Sequence, residues 1–573
     1  MRSKNYLIIF LIGLQVFLLA IPIKAQYLDW VGTFGGGNSA LSGNSIAVDK
    51  SGNVYTVCTF GGTADFDPDT STFNLTASVG NWVICKLDNQ GNFIWARHFV
   101  SSTHQPINTI ALDDSANIYM TGGFNGTVDF DPSAGIYNLT ASLRMSLFIC
   151  KLDSAGNFIW AEKTGNSTFT CRANWVSTDP LGNVIVTGTF GDSIDFDMGS
   201  SSYYLSSPGN EDAFVLKLDN NGNFIWADKF GGPSNDNCFQ SSIDTIGNIY
   251  ITGSFSDSAD FDPGPLTNYL FSNGQVDAFI CKLDLGGNLI WAHQVGGALT
   301  DVGSTLTVDY HGAVYVAGSF RDTIDFDPGP GNYFIHSMGV ADIFILSLDS
   351  AGHFNWVRQF SNNFTLPNPS QIIFDKNENL ILCGTFAAQV DFDPGIGTYI
   401  LNAYGWDHAY ICKINVSGHF LWAIQLEGNP SLNHHSYIHS LYADSLGSIY
   451  CTSNFYGTID FDPQVGVYNL TSTDDAYVLK LSETPNAVTD FNNVHAEIEI
   501  FPNPGSKVLT IYSAHLKMEG VILYGLLGEK LLEYGKLGGL MEYRLAVDYL
   551  PAGLYFIQVM TNGGVVTKKW VKG

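Results

Sequence analysis

Positive charge is scarce in this sequence: 26 Lys and Arg stand against 54 Asp and Glu, for a formal net charge of -28. Phosphate backbones are held by clustered Lys and Arg, so a nucleic-acid partner is excluded. Charge of either sign is low at 14%, while hydrophobic residues reach 45% and aromatics 13%, alongside 60 glycines. This balance excludes a disordered chain and describes a turn-rich, well-buried, all-β one. Catalytic signatures are missing too, with no P-loop, no nucleophile elbow, no HExxH and no persuasive Ser/His/Asp set. After residue 23 no run is long and apolar enough to span a membrane, so the mature chain is expected to be soluble or surface-attached.

A disulfide framework is likewise absent from the pattern of the nine cysteines. Cys85, Cys150, Cys281 and Cys412 occupy one position, in VICKLD, FICKLD, FICKLD and YICKIN, where other copies of the phrase place Leu216, Leu346 and Leu479. A position that exchanges Cys for Leu is a packing position, and the odd total leaves at least one thiol free.

The N-terminus carries Arg2 and Lys4, an apolar run from Tyr6 to Ile23, and then Lys24-Ala25-Gln26. A basic start, an apolar middle and a small residue before the cut predict a secretory signal peptide at residues 1–25.

What the chain has in abundance is repetition. Asp-Phe-Asp begins at Asp65, Asp129, Asp195, Asp260, Asp325, Asp391 and Asp460, at intervals of 64 to 69 residues. Trp30, Trp95, Trp160, Trp226, Trp291, Trp356 and Trp422 recur every 65 or 66. Each unit reads as four strands, as in SSIDTIGNIYITGSF, then DAFICKLD, then LIWAHQ, rich in β-branched and aromatic residues. The tight turns take the form Asp-x-x-Gly-Asn, as in Asp49 to Asn53 and Asp88 to Asn92, where Gly accepts positive φ and Asp bonds the backbone ahead of it. Seven four-stranded units predict a seven-bladed β-propeller over residues 26–483. The first tryptophan strand, YLDWVGTFGG, precedes the first full unit, and the last unit stops at Glu483 without one. The N-terminal strand is therefore expected to close the last blade.

The strings SIAVDKSGNVYTVCTF, SSIDTIGNIYITGSF and GNFIWARHF resemble the bacterial β-propeller repeat family called SBBP, and more distantly NHL-type propellers. The resemblance runs from about Gln26 to Glu483 and implies a fold without implying one activity.

The repeat ends at Glu483, and residues 484–498 read as a polar linker. Residues 499–573 carry eight basic and six acidic side chains, a net +2, whereas residues 26–498 carry -33. Alternating apolar strands broken by Pro-Gly and Asn-Gly turns predict a small β-sandwich there. Its phrases FPNPGSKVLTI, LGEK and LPAGLYFIQV, with the closing TKKWVKG, closely resemble the type A C-terminal sorting domain of type IX secretion cargo. The matching positions are Pro502, Asn503, Pro504, Gly553, Tyr555, Lys568 and Lys569. That resemblance implies handling by the type IX machinery of a Gram-negative bacterium, export across the outer membrane, removal of the domain and often attachment to surface lipopolysaccharide.

The paired acids Asp65/Asp67, Asp129/Asp131, Asp195/Asp197, Asp260/Asp262, Asp325/Asp327, Asp391/Asp393 and Asp460/Asp462 are the candidate metal ligands. Carboxylates at i and i+2 of an extended strand can point the same way toward Ca²⁺, which takes six to eight oxygens. The preferred reading is a staple, in which the Phe enters the core, one Asp accepts backbone N–H groups, and the following Pro, replaced only by Met198, forces the turn. Seven equivalent pairs lack the asymmetry that acid/base catalysis needs. Phe73, Tyr137, Tyr203, Tyr333, Tyr399 and Tyr468 follow the second Asp by six residues and Tyr269 by seven; regular repetition favours their burial over sugar stacking. Asymmetric residues are better ligand candidates: Trp82, Arg144, Met145, Arg172, Trp175, Trp406 and the His434-His435-x-x-x-His439 cluster, itself read as a polar loop. The expected function is a non-enzymatic secreted or cell-surface scaffold that binds protein or glycan through the face carrying the long connections and Asp-Phe-Asp. The alternative is a polysaccharide hydrolase or lyase.

Overall fold

In the computed structural model the residues described are 26–36, 41–101, 107–165, 169–361, 368–428, 434–464, 466–483, 498–501, 507–513, 517–525, 530–551, 553–561 and 564–572. The signal segment 1–25, linker residues 484–497 and Pro502, Asn503 and Pro504 lie outside them. The chain divides into two units, Met1–Pro485 and Asn486–Gly573. The described residues of both are strands, turns and bends, with no helix.

The larger unit is built from one plan. In the sheet of Asn237–Ile243, Ile249–Phe255, Asp277–Leu283 and Leu289–Val295, each strand pairs antiparallel with the next. Six such sheets follow one another along the chain, and a seventh is completed from elsewhere in the sequence. Its third strand, Asn469–Ser482, pairs on one side with Ile449–Asp460 and on the other with Tyr27–Phe34.

The tight turns fold as they do because of their Asp and Gly. Asp49 Oδ1 accepts the N–H groups of Ser51 and Asn53, both at 2.9 Å, while Gly52 takes φ +82°. Only Gly adopts that conformation without strain.

The first strands of neighbouring sheets pack side by side. Leu41–Val48 lies against Ile107–Leu112, which lies against Cys171–Thr178, and the series continues through Asn237–Ile243, Val302–Val308, Asn368–Phe374 and Ser440–Ala443. Ser440–Ala443 then packs back on Leu41–Val48. These innermost strands surround a common axis, and the tryptophan strands lie outermost.

Outer strands lock neighbouring sheets through a single carbonyl. Trp160 Nε1 and Lys151 Nζ both donate to the carbonyl of Asn220, and Trp291 Nε1 and Lys282 Nζ to that of Ser350. The same lysines lie over Tyr119 and Tyr250, 4.8 and 4.9 Å from the ring centroids. All nine cysteines are buried and free of disulfides, and burial pushes the thiols of Cys58, Cys171 and Cys238 up to about 12.

In the smaller unit, Ile498–Phe501, Val508–Ser513 and Glu542–Ala546 form one sheet. Lys530–Leu540, Met518–Tyr524, Gly553–Thr561 and Gly564–Lys572 form another. Leu509, Ile511 and Leu545 of the first share a core with Val521, Ile557 and Trp570 of the second. Gly553 opens its strand, Tyr555 is buried with its hydroxyl on the carbonyl of Pro551, and Lys568 and Lys569 lie opposite Ile557 and Phe556.

Candidate functional site

The Asp-Phe-Asp segments do not lie free on a loop face. Gly35, just past the outer strand Tyr27–Phe34, exchanges two backbone hydrogen bonds with Asp65 of the next sheet. Gly231 does the same with Asp260. Farther along the turn, Pro68 lies so close under Gly32 that a Cβ there would stand 2.9 Å from it, and Phe73 rests 5.0 Å from Phe93. Each turn thus folds into the cleft between the outer strands of adjacent sheets.

Inside that cleft the acids are occupied by the backbone. Asp325 Oδ1 accepts the N–H of Asp327 at 3.2 Å and of Tyr333 at 2.7 Å. The other six first acids, Asp65, Asp129, Asp195, Asp260, Asp391 and Asp460, make the same pair of bonds. The second acids act one step farther along the turn, each accepting the N–H two residues ahead through Oδ1. Asp67 takes that of Asp69, Asp131 that of Ser133, and Asp197, Asp262, Asp327 and Asp393 those of Gly199, Gly264, Gly329 and Gly395. Asp462 takes that of Gln464.

The candidate calcium ligands Asp65/Asp67, Asp129/Asp131, Asp195/Asp197, Asp260/Asp262, Asp325/Asp327, Asp391/Asp393 and Asp460/Asp462 all use Oδ1 in this way. One oxygen of every carboxylate is spent on its own turn. Ca²⁺ needs six to eight oxygens, and among the described residues no group of three or more His, Cys, Asp or Glu converges to supply them. The phenylalanines between the acids follow the staple expectation. Phe66, Phe130, Phe196, Phe261, Phe326, Phe392 and Phe461 are all buried, each worth about 2 kcal/mol of apolar transfer.

In six copies an aromatic closes the turn, partly exposed and packed on its own outer strand, whereas in the fourth Asn268 closes it and Tyr269 falls one residue later. Tyr137 lies 4.7 Å from Phe158, and Tyr333 lies 5.1 Å from Phe354. Burial is therefore incomplete. The residue paired with the first Asp shows the sharper difference between copies: Asn74, Asn138 and Asn469 in three sheets, Ile400 in a fourth, but Tyr204, Tyr269 and Phe334 in three consecutive ones. Those three rings are 64%, 53% and 65% exposed.

The other asymmetric residues separate. Trp82 is a core residue, stacked 4.8 Å from Phe148. Arg144 is exposed, the sulfur of Met145 sits over Gly123, and Arg172 pairs with Glu211 at 3.2 Å. The Trp406 side chain lies outside the described residues. His434 is buried against His408, Nε2 to Nε2 at 3.0 Å, His435 stacks on Tyr456, and His439 Nδ1 bonds the carbonyl of Gly43. The three histidines do not converge.

The axis holds a feature that reading the sequence missed. Each of the first six innermost strands carries a β-bulge at the same column, and the inserted residues are Asn44, Asn108, Asn174, Phe239, Ser304 and Ser370. His439 occupies that column in the seventh. Asn44, Asn108 and Asn174 donate to the carbonyls of Ile107, Ala173 and Cys238 in the following sheet at 2.5, 2.6 and 2.8 Å. Aligning the seven copies shows this column, but only the bulge explains why it faces the axis.

One residue along, a second belt joins the same strands. Ser45, Gln240, Thr305, Gln371 and Ser440 each accept the N–H of the next strand, from Ile110, Leu306, Ile372, Leu441 and Ile46. The belt breaks at two consecutive places. Thr109 Oγ1 is buried without a partner, and Trp175 has no acceptor to offer. Trp175 instead lines a cavity of about 510 Å³ at the tight-turn end of the axis, with Ile46, Ile110, Phe374 and Tyr442. Asp49, Lys50, Asp113 and Asp114 stand at its mouth, where Lys50 pairs with Asp114 at 2.9 Å.

Carboxylates that hold protons strongly lie elsewhere. Burial pushes Asp236 and Asp228 up to about 7 and Asp301 up to about 6. Asp236 accepts the N–H groups of Gly232 and Ser256, and Asp301 those of Gly297 and Arg321. Both fasten the connections between sheets.

Comparison with known proteins adds three findings. Residues 499–573 match the secretion system C-terminal sorting domain, and residues 290–319 match the SBBP beta-propeller repeat. An uncharacterized WD repeat-containing protein of Acanthamoeba polyphaga mimivirus is 24% identical over 452 residues, 64% of this chain and 31% of that protein. The regulatory protein FlaEY of Caulobacter vibrioides is 23% identical over 181 residues, 30% of this chain and 18% of that protein. The chain thus spans less than a third of the length of either relative. Among solved structures, a protein of unknown function from Bacteroides caccae covers 58% of this chain and 93% of its own, at 12% identity and a TM-score of 0.27. The extracellular domain of a putative one component system from B. thetaiotaomicron covers 96% of this chain and 98% of its own, at 10% identity and a TM-score of 0.16. The sorting domain marks the chain for type IX export, to the cell surface or the medium.

Proposed function

We propose that the exported chain is a seven-bladed β-propeller closed by its N-terminal strand, followed by a small β-sandwich that serves export, and that it binds protein or glycan without catalysis. The observation that carries this reading is the exposure of Tyr204, Tyr269 and Phe334 at one position of three consecutive repeats. At that position three other sheets place Asn, which interacts well with water, whereas these three consecutive sheets expose large rings. Phe271, Leu266 and Met338 extend the apolar surface on the same connections. Large exposed rings at equivalent positions of three consecutive repeats suit a partner that shields them, either an apolar protein surface or stacked sugar rings. The Asp-Phe-Asp pairs serve in this reading as turn staples rather than as calcium ligands. Cleavage of the sorting domain and attachment to surface lipopolysaccharide belong to the same proposal.

The test is a glycan array together with a panel of surface proteins, probed with the chain and with the triple variant Tyr204→Asn, Tyr269→Asn, Phe334→Asn. These substitutions install what the other copies of the repeat already tolerate, so folding should survive. Binding by the parent and its loss in the variant is the expected result. Equal binding by both, or no ligand for the parent, would overturn the reading.

A further inference from the structure

The second belt around the axis follows a rule: at five of its seven steps a side-chain oxygen accepts the edge N–H of the next strand. Trp175 breaks it. At its column the other sheets carry Ser, Thr or Gln, five of which make the contact, whereas indole can only donate. The Trp therefore gives no cap to Ser241 N–H, an inter-sheet hydrogen bond that five of the other six sheets make. A local rule broken inside an otherwise regular scaffold marks a place shaped by something other than stability.

Trp175 lines a cavity of about 510 Å³, within the range of small-ligand pockets. We infer that this cavity is a half-open binding site for the end of a neutral saccharide. It rests on the reading of the chain as a binding scaffold, and it adds a site at the opposite end of the sheets from their long connections.

The chemistry of the walls selects the ligand. Trp175, with Tyr442 and Phe374 also in the lining, offers an aromatic surface on which the C–H face of a sugar ring stacks. Charge at the mouth is three carboxylates against one lysine, and that lysine is paired with Asp114. The resulting negative field repels uronic acids and other anionic sugars. Asp49 and Asp113 are themselves tied into their turns by Asn53 and Asn117, so they act through this field rather than by direct bonds.

The experiment uses the full chain and titration calorimetry with cellobiose, lactose and chitobiose, and with glucuronic acid and tryptophan amide as controls. Trp175→Gln copies the residue present at Gln240 and Gln371 and can cap Ser241 N–H. It should lower affinity for the neutral disaccharide by about tenfold or more while leaving the melting temperature equal or higher. Trp175→Phe, which keeps a stacking face, should retain most of the affinity. A merely structural Trp would instead show a lowered melting temperature in Trp175→Gln and unchanged binding, which would overturn the inference. Absence of neutral-disaccharide binding by the parent chain would also overturn it, as would tighter binding of glucuronic acid or tryptophan amide. If binding that depends on Tyr204, Tyr269 and Phe334 survives such a result, only this inference falls; if no ligand of any kind binds, both readings fall together.

Discussion

Trp30 Nε1 donates to the carbonyl of Asn89 at 3.1 Å, and Lys480 Nζ reaches the same oxygen at 3.1 Å. Trp30 belongs to the N-terminal strand and Lys480 to the last sheet, so one carbonyl of the first sheet gathers both ends of the repeat region. Around the axis, His439 on Gly43 and Ser440 on Ile46 N–H make the matching inner contacts.

Removing the outer contact should be costly. Trp30→Ala is expected to lower unfolding free energy by about 3 kcal/mol, combining lost aromatic burial with the lost hydrogen bond. Trp30→Phe should cost about 1 kcal/mol. Urea denaturation followed by circular dichroism gives both values, and deletion of residues 26–36 should abolish a single cooperative transition.

The Asp-Phe-Asp staple gives an expectation about metal. Asp325→Ala strands the N–H groups of Asp327 and Tyr333 and should cost about 2 kcal/mol, whereas Asp325→Asn keeps an acceptor and should cost less than about 1. Millimolar calcium or chelator should leave the melting temperature of the parent unchanged. A calcium-dependent rise would return these acids to the role of ligands.

Stability should fall as pH rises from about 4 to about 7. Asp228, Asp236 and Asp301 have folded affinities near 7, 7 and 6 because of burial, against about 4 when unfolded. Between those values the folded chain holds more protons than the unfolded one, so raising pH favours unfolding. Scanning calorimetry across this range should show the decline, and Asp228→Asn should flatten it.

Lys217 and Asp179 form a buried ion pair at 3.0 Å. Burial tends to raise the Asp179 carboxyl, but Asn183 and Lys217 outweigh it and hold the group below its usual range. Lys217→Met would leave the carboxylate without its cation and should cost about 3 kcal/mol in a denaturant titration.

The nine thiols should not react with a soluble disulfide reagent in the native protein and should all react after denaturation. Their positions already indicated packing, because Cys85 and Leu216 exchange at one column of the repeat.

Much of the fold was legible because repetition multiplies each signal sevenfold. The Asp-x-x-Gly-Asn turns and the tryptophan strands needed no tertiary information, since a turn is fixed by its own residues. The Asp-Phe-Asp turns were legible as parts of long connections, but their length did not indicate that Phe66 and Pro68 would draw the turn into the cleft beside Gly32. Trp175 was singled out as asymmetric, yet its meaning depends on Ser241, a residue in another sheet. The bulge column was missed because Asn44, Phe239 and His439 share no chemistry, only a backbone irregularity.

The chain leaves the repeat region from Asn469–Ser482, a strand paired on both sides, with Ser482 opposite Tyr27. The sorting domain is therefore tethered to an interior strand of its sheet rather than to an edge. A pull on that tether during passage through a secretion pore would have to shear two hydrogen-bonded ladders at once, where an edge strand could be unzipped bond by bond. The N-terminal strand thus acts as a mechanical clasp, adding a second ladder to the strand from which the tail departs.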